Sequence, residues 1–163
     1  LGKFYIASFW SELLLRSFSG GGESELVYPL LAGSLKELNK ADKAGQTLIL
    51  IQFVWRYLGI AGFRPDTEHC GQCDRMFIES EQVWFDERDN QLICDKCRTS
   101  MDLVKFTSGS LKYLRHTEKL DLEKSMRIGL DDRSADTLKR IMLIIIQGIV
   151  EYPLNTLKNG LIP

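Results

Sequence analysis

A chain of 163 residues has room for one domain, or one domain carrying a small insert, since ~100–200 residues per domain is usual. Its 44% hydrophobic residues suffice for a packed core, and its net charge of −1 argues against gripping nucleic acid by bulk electrostatics. No run approaches the ~20 apolar residues of a membrane span, and no basic, apolar and small-residue leader signals secretion, so the expected location is cytoplasmic. The chain begins at Leu1 rather than Met and reads as a fragment of a longer protein.

Tyr5, Ile6, Phe9, Trp10, Leu13, Leu14 and Phe18 recur at helical spacing and predict an amphipathic first helix, ended by Ser19 and the Gly20-Gly21-Gly22 run. A second helix is expected from about Leu26 to Leu38, with Leu30, Leu31, Leu35 and Leu38 on one face and Pro29 in its first turn. The third, from about Lys43 to Ala61, is apolar on nearly every side and should be buried on most faces; Gly62 and Pro65 stop it. Between Cys73 and Cys94 the period changes. Val83-Trp84-Phe85 and Leu92-Ile93 are short β-prone runs around an acidic turn, which predicts a hairpin. Beyond it, Ser108 or Ser110 is expected to cap a short helix through Tyr113. Ser134 is expected to cap a long one through about Tyr152, closed by Pro153.

All four cysteines fall into Cys70-x-x-Cys73 and Cys94-x-x-Cys97, with twenty residues between the pairs. Each pair puts two thiolates on one tight turn, a bite that suits tetrahedral zinc with Zn–S near ~2.3 Å, and the hairpin returns the second turn beside the first. Two disulfides would need an oxidising compartment that nothing in the sequence suggests, and a thioredoxin-like pair would not need a duplicate; iron in the same four-sulfur geometry is the other metal option. Four thiolates leave no open coordination position, so one structural zinc per chain is expected and catalysis is not. Asp74 and Arg98 follow the second cysteine of each pair, where glycine is often found for its freedom at positive φ. His69 reads as a solvent-facing neighbour, and His116 as a polar residue near a helix end.

The fold expected is therefore mainly α: a helical bundle, residues 1–68 and 98–163, interrupted by a small four-cysteine zinc-ribbon hairpin over 69–97. Charge is uneven along it. Cys70–Cys97 carries three Lys or Arg against seven Asp or Glu, whereas residues 98–140 carry ten against seven. Candidate phosphate contacts are Arg98, Lys105, Lys112, Arg115, Arg133, Lys139 and Arg140, although interleaved acids make an ordinary solvated surface the competing reading. Of Trp10, Trp55 and Trp84, the first two lie in apolar helical stripes; Trp84, flanked by Val83 and Phe85, is the better exposed candidate for stacking on a base, with packing of the hairpin onto a helix as the stronger competing reading. The glycine run lacks the lysine and hydroxyl of a P-loop, and no Ser-His-Asp set or HExxH is present.

Leu58-Gly59-Ile60-Ala61-Gly62-Phe63-Arg64-Pro65-Asp66 followed by Cys70-Gly71-Gln72-Cys73 resembles RecO, the bacterial recombination mediator and annealing family. Val83-Trp84-Phe85 and Leu92-Ile93-Cys94-Asp95-Lys96-Cys97 look like its ribbon hairpin and second pair. Phe106 to Leu111 looks like the start of its following helix. The resemblance implies a non-catalytic DNA repair and homologous-recombination factor that binds DNA, anneals strands and assists recombinase loading in the nucleoid. It also implies an N-terminal OB-fold before Leu1, and as partners a RecR-like protein, the tail of the single-strand-binding protein and mainly single-stranded DNA. Such an acidic tail with an apolar end needs a pocket and nearby cations, for which Ile141, Ile144 and Ile145 with Arg127, Lys139 and Arg140 are the candidates. The alternatives are an accessory zinc domain of a nucleic-acid enzyme, or a protein-interaction scaffold.

Overall fold

The computed structural model describes residues 2–17, 24–78, 81–100, 103–150 and 153–158. Helix α1 spans Lys3–Ser17 and buries Ile6, Phe9, Trp10 and Leu13 of the stripe its spacing predicts, while Tyr5 is exposed and Leu14 half-buried at its edges; Phe18 lies outside the described residues. Helix α2 spans Ser24–Lys40, starting earlier than the leucines indicate. Glu25 suits its first turn, where a carboxylate meets the positive end of the helix dipole. Pro29 consequently stands in the second turn. The inward face is also rotated: Val27, Ser34 and Leu38 are buried while Leu35 stays exposed.

Helix α3, Lys43–Ile60, is the axis of the core. Asp42 caps it by accepting from the Gly45 N–H at 2.8 Å, and the chain leaves through Gly62 at φ +78°, a left-handed value that favours glycine. Phe53 stacks on Trp10 at 4.5 Å between ring centroids, and α3 lies against α2 and α6. No helix among the described residues is long and apolar enough to cross a membrane.

Strands β1 (Val83–Asp86) and β2 (Gln91–Cys94) form the expected hairpin, and a third strand, β3 (Val104–Phe106), pairs antiparallel on the other side of β1. The order is β2-β1-β3. A run of three residues is too short for alternation to declare itself, so β3 is not evident from sequence. It matters because β3 lies against α6 and joins the sheet to the helices. Val83, Phe85, Leu92, Ile93 and Phe106 belong to the same buried cluster as the helical core.

Helix α4 spans Ser108–Glu118, with Thr107 rather than either serine at the cap, accepting from the Ser110 N–H at 3.0 Å. It runs past Tyr113 because Leu114 and Thr117 continue the buried face. A short α5 (Leu122–Ser125) leads to α6 (Asp132–Ile149), which Asp131, not Ser134, caps by accepting from the Ser134 N–H at 2.9 Å. Val150 turns extended and ends α6 before residue 152, which lies outside the described residues. Helix α7 (Asn155–Lys158) is held against α1 by the Glu12 carboxylate. That group accepts from the N–H groups of Asn155 and Thr156 and from the Thr156 hydroxyl at 2.7, 2.9 and 2.8 Å.

Candidate metal centre and the surface around it

The four cysteine sulfurs lie within 4.8 Å of one another, Cys70 and Cys94 buried, Cys97 half-buried and Cys73 exposed. A tetrahedral ion with bonds of ~2.3 Å requires sulfurs about 3.8 Å apart. Cys73 Sγ and Cys94 Sγ stand 4.0 Å apart and no pair of the four lies beyond 4.8 Å, so the cage is close to the size such an ion needs. All four ligands come from two turns braced against each other: the Gly71 N–H donates to the Leu92 carbonyl at 2.8 Å, and the Cys94 N–H to Cys70 Sγ at 3.3 Å. Gly71 is needed there for a close approach, since a Cβ at that position would sit 2.8 Å from the Cβ of Gln91. Asp74 adopts the left-handed backbone that glycine often supplies, φ 56°, which aspartate tolerates better than most residues, while Arg98 turns without it at φ −65°.

Electrostatics also favour a cation. Burial raises the Cys94 thiol, but hydrogen bonds from the Arg75 guanidinium and the Cys97 backbone outweigh it and bring the value down to about 6. Hydrogen bonding with the Cys94 and Cys73 sulfurs drives Cys97 the other way, up to about 12. Four crowded thiols cannot all ionise alone; a dication in their midst removes that conflict. Arg75 also makes two parallel bonds to Glu81, at 2.7 and 2.9 Å, and so is held beside the cage. His69 is not a member of the cluster; its Nδ1 lies 3.0 Å from Asp66 Oδ2.

The hairpin is fastened to the helices at its base and its tip. Arg115, on α4, donates through both Nε and Nη2 to the Thr67 carbonyl and lies 3.5 Å from Glu68. The Asn90 side chain, in the β1–β2 turn, donates to the Phe63 carbonyl at 2.7 Å. Arg115 is thus engaged in holding the approach to Cys70. Among the other candidate phosphate contacts, Lys112, Arg133 and Arg140 are exposed on α4 and α6, and Lys139 pairs with Asp136 at 2.9 Å. Arg98 and Lys105 are brought together around Trp84, with the Arg98 guanidinium 4.3 Å and the Lys105 ammonium 5.9 Å from its ring centre. Trp10 and Trp55, at 0% and 2% exposed, have no face to offer.

Of the proposed tail-binding isoleucines, Ile141 and Ile145 are core, at 2% and 5% exposed, and Ile144 is half-buried. The apolar crevice beside Lys139, lined by Phe9, Leu50, Val54, Met142, Leu143 and Ile146, holds only about 10 Å³, too little for a side chain. Arg127 pairs with Glu123 at 3.0 Å on α5 and its exit. Sequence spacing missed this rotation because α6 is apolar around more than half its girth. It also missed Arg75, whose place beside Cys94 depends on how the hairpin folds back.

Residues 1–158 match the family described as "Recombination protein O C terminal". A "DNA repair protein RecO" of Desulfatibacillum aliphaticivorans is 28% identical over 147 residues, 86% of this chain and 57% of that protein. One of Bacillus pumilus is 26% identical over 148 residues, 90% of this chain and 54% of the relative. One of Desulforamulus reducens is 23% identical over 153 residues, 93% and 57% of the two chains. The chain thus spans a little over half the length of these curated relatives.

Proposed function

The chain belongs to the Recombination protein O C-terminal family, and from that premise we propose that it works as the C-terminal region of a cytoplasmic, nucleoid-associated DNA repair and recombination factor. In this reading the protein is not an enzyme. It binds DNA, anneals strands and helps load a recombinase, in company with a RecR-like protein and the single-strand-binding protein. The observation that carries it is the family match over residues 1–158, joined by relatives named as DNA repair proteins over most of this chain.

The division of labour within the chain follows from chemistry. Cys70, Cys73, Cys94 and Cys97 hold one zinc, which stabilises the hairpin and leaves no coordination position for a reacting water. Domain boundaries at 68/69 and 97/98 separate the ribbon from the bundle, with β3 as its seam. Cations after the ribbon, Arg98, Lys105, Lys112, Arg133, Lys139 and Arg140, meet phosphate. The recruited tail uses the cationic side of α6, with Lys139 and Arg140 beside Ile144 and Arg127 further out. A host deprived of the gene for this chain should lose resistance to a DNA-breaking agent and regain it when the gene is restored. Unchanged survival in the deletion strain overturns the reading.

A further inference from the structure

Alternation along β1 sends Val83 and Phe85 into the core and turns Trp84 to the other face of the sheet, where the ring is half-buried against the edge of the core and keeps one side for other groups. Its neighbours across that face are Ile93 on β2 and Lys105 on β3. The indole N–H donates to Asp95 Oδ1 at 3.1 Å, which fixes the plane of the ring. The Arg98 guanidinium lies 4.3 Å from the ring centre, with 28% of its side chain exposed. Among the described residues that guanidinium makes no hydrogen bond: its only anionic neighbour, Asp95, is 3.9 Å from Nε, beyond bonding range. A stacked guanidinium with unused donors is an unfinished arrangement, because its fork is oriented by the ring and matched to phosphate or to a base edge. Lys105 adds a second cation, exposed and 5.9 Å from the ring.

We propose that Trp84, Arg98 and Lys105 form a docking platform for one nucleotide of single-stranded nucleic acid. The base lies on the Trp84–Arg98 stack, and the adjoining phosphate takes the free donors of Arg98 and the ammonium of Lys105. This rests on the reading that the region meets DNA, and deepens it by fixing the place of contact and the strand type. Duplex bases have both faces occupied by neighbours, so only an unstacked base can use the platform. Every base has a π-face, so the contact tolerates any sequence. An acidic peptide would engage the two cations but has no use for the aromatic plane between them.

The test is a titration of the 1–163 chain with labelled oligothymidylate, an abasic oligomer of equal length, and duplex. Trp84→Leu and Lys105→Glu should each weaken oligothymidylate binding by about tenfold, within the range for one stacked base, while Lys36→Glu on α2 leaves it unchanged. Trp84→Leu should leave duplex and abasic binding near the starting values. Oligothymidylate should quench tryptophan emission in the parent chain and not in Trp84→Leu, since Trp10 and Trp55 are buried. If Trp84→Leu misfolds by circular dichroism, Lys105→Glu, on an exposed position, carries the test. Equal affinity for oligothymidylate and the abasic oligomer, or undiminished binding by Lys105→Glu, overturns the platform while leaving DNA binding in place. Equal competition by an acidic peptide of the same charge overturns it in favour of a protein partner. Failure to bind any of the three oligomers at low salt removes DNA binding by this region and the platform together.

Discussion

Replacing Cys94 with serine tests whether the hairpin depends on its metal while the bundle does not. Cys94 is 0% exposed at the end of β2, and its N–H donates to Cys70 Sγ, so the change strikes the centre of the cage. Joining the two pairs closes the twenty residues between Cys73 and Cys94. By the loop-closure entropy of a covalent bridge this restrains the unfolded chain by roughly 3 kcal/mol, a contribution lost with the ion. The core around Trp10, Phe53 and Tyr57 lies outside that loop and keeps its packing. Metal analysis should return one zinc per parent chain and a small fraction of that for Cys94→Ser. Trypsin should then cut at Arg88, in the hairpin turn, well before it degrades the helices, and far-UV helicity should fall only slightly. Full zinc retention by a Cys94→Ser, Cys97→Ser double variant would refute the ligand assignment. Collapse of the helices along with the metal would refute the independence of the bundle.

Two further outcomes concern the helices. Burial raises the Glu12 carboxyl, but its bonds to Asn155 and Thr156 outweigh that and hold it below the ordinary 4.5, so its stabilisation is complete above the unfolded value and disappears as pH falls through the folded one. Glu12→Gln should therefore cost about 1 kcal/mol in urea unfolding at neutral pH and progressively less as pH falls below 4.5; a difference constant with pH would contradict this. An acidic peptide with an apolar C-terminus should bind the chain at low salt and lose affinity on Arg140→Glu, and absence of binding at low salt would remove α6 as the tail-recruiting surface.

The metal cage was legible because it needs only local chemistry: two Cys-x-x-Cys turns and a β-prone stretch long enough to bring them together. The helices were legible as existing, less so in their ends and rotations. Thr107 and Asp131 take the caps that nearby serines advertise equally well, because the cap belongs to whichever side chain reaches the third N–H. Leu35 and Ser34 exchange the expected roles, with the serine at 0% exposure and the leucine at 41%. Helical period narrows the buried stripe to an arc; the neighbouring helix selects the residues within it. The Trp84 cluster had a partial signal, since alternation in Val83-Trp84-Phe85 already turns the indole away from its neighbours. Its cations could not be assigned to it, because β3 is too short to show a period and Arg98 reaches the ring only through the turn at Cys97.

That turn links the metal to the surface. Arg98 directly follows Cys97, and Asp95, which accepts from the Trp84 indole, lies between the two ligands Cys94 and Cys97. The ring's hydrogen-bond acceptor and its stacked guanidinium are therefore both carried by the second cysteine turn, while the ring itself stands on β1. The sheet beneath is held by β3 against α6 and by Asn90 against the segment leaving α3, which Arg115 ties to α4. A zinc ion held by these four sulfurs, without an open coordination site, would thus still matter to the proposed binding. It would fix the 94–98 turn, and with it the orientation of the Arg98 donors over the indole. Loss of the ion would leave Lys105 in place on its strand while releasing Arg98, so the contribution of stacking should vanish with the metal and the contribution of charge should persist.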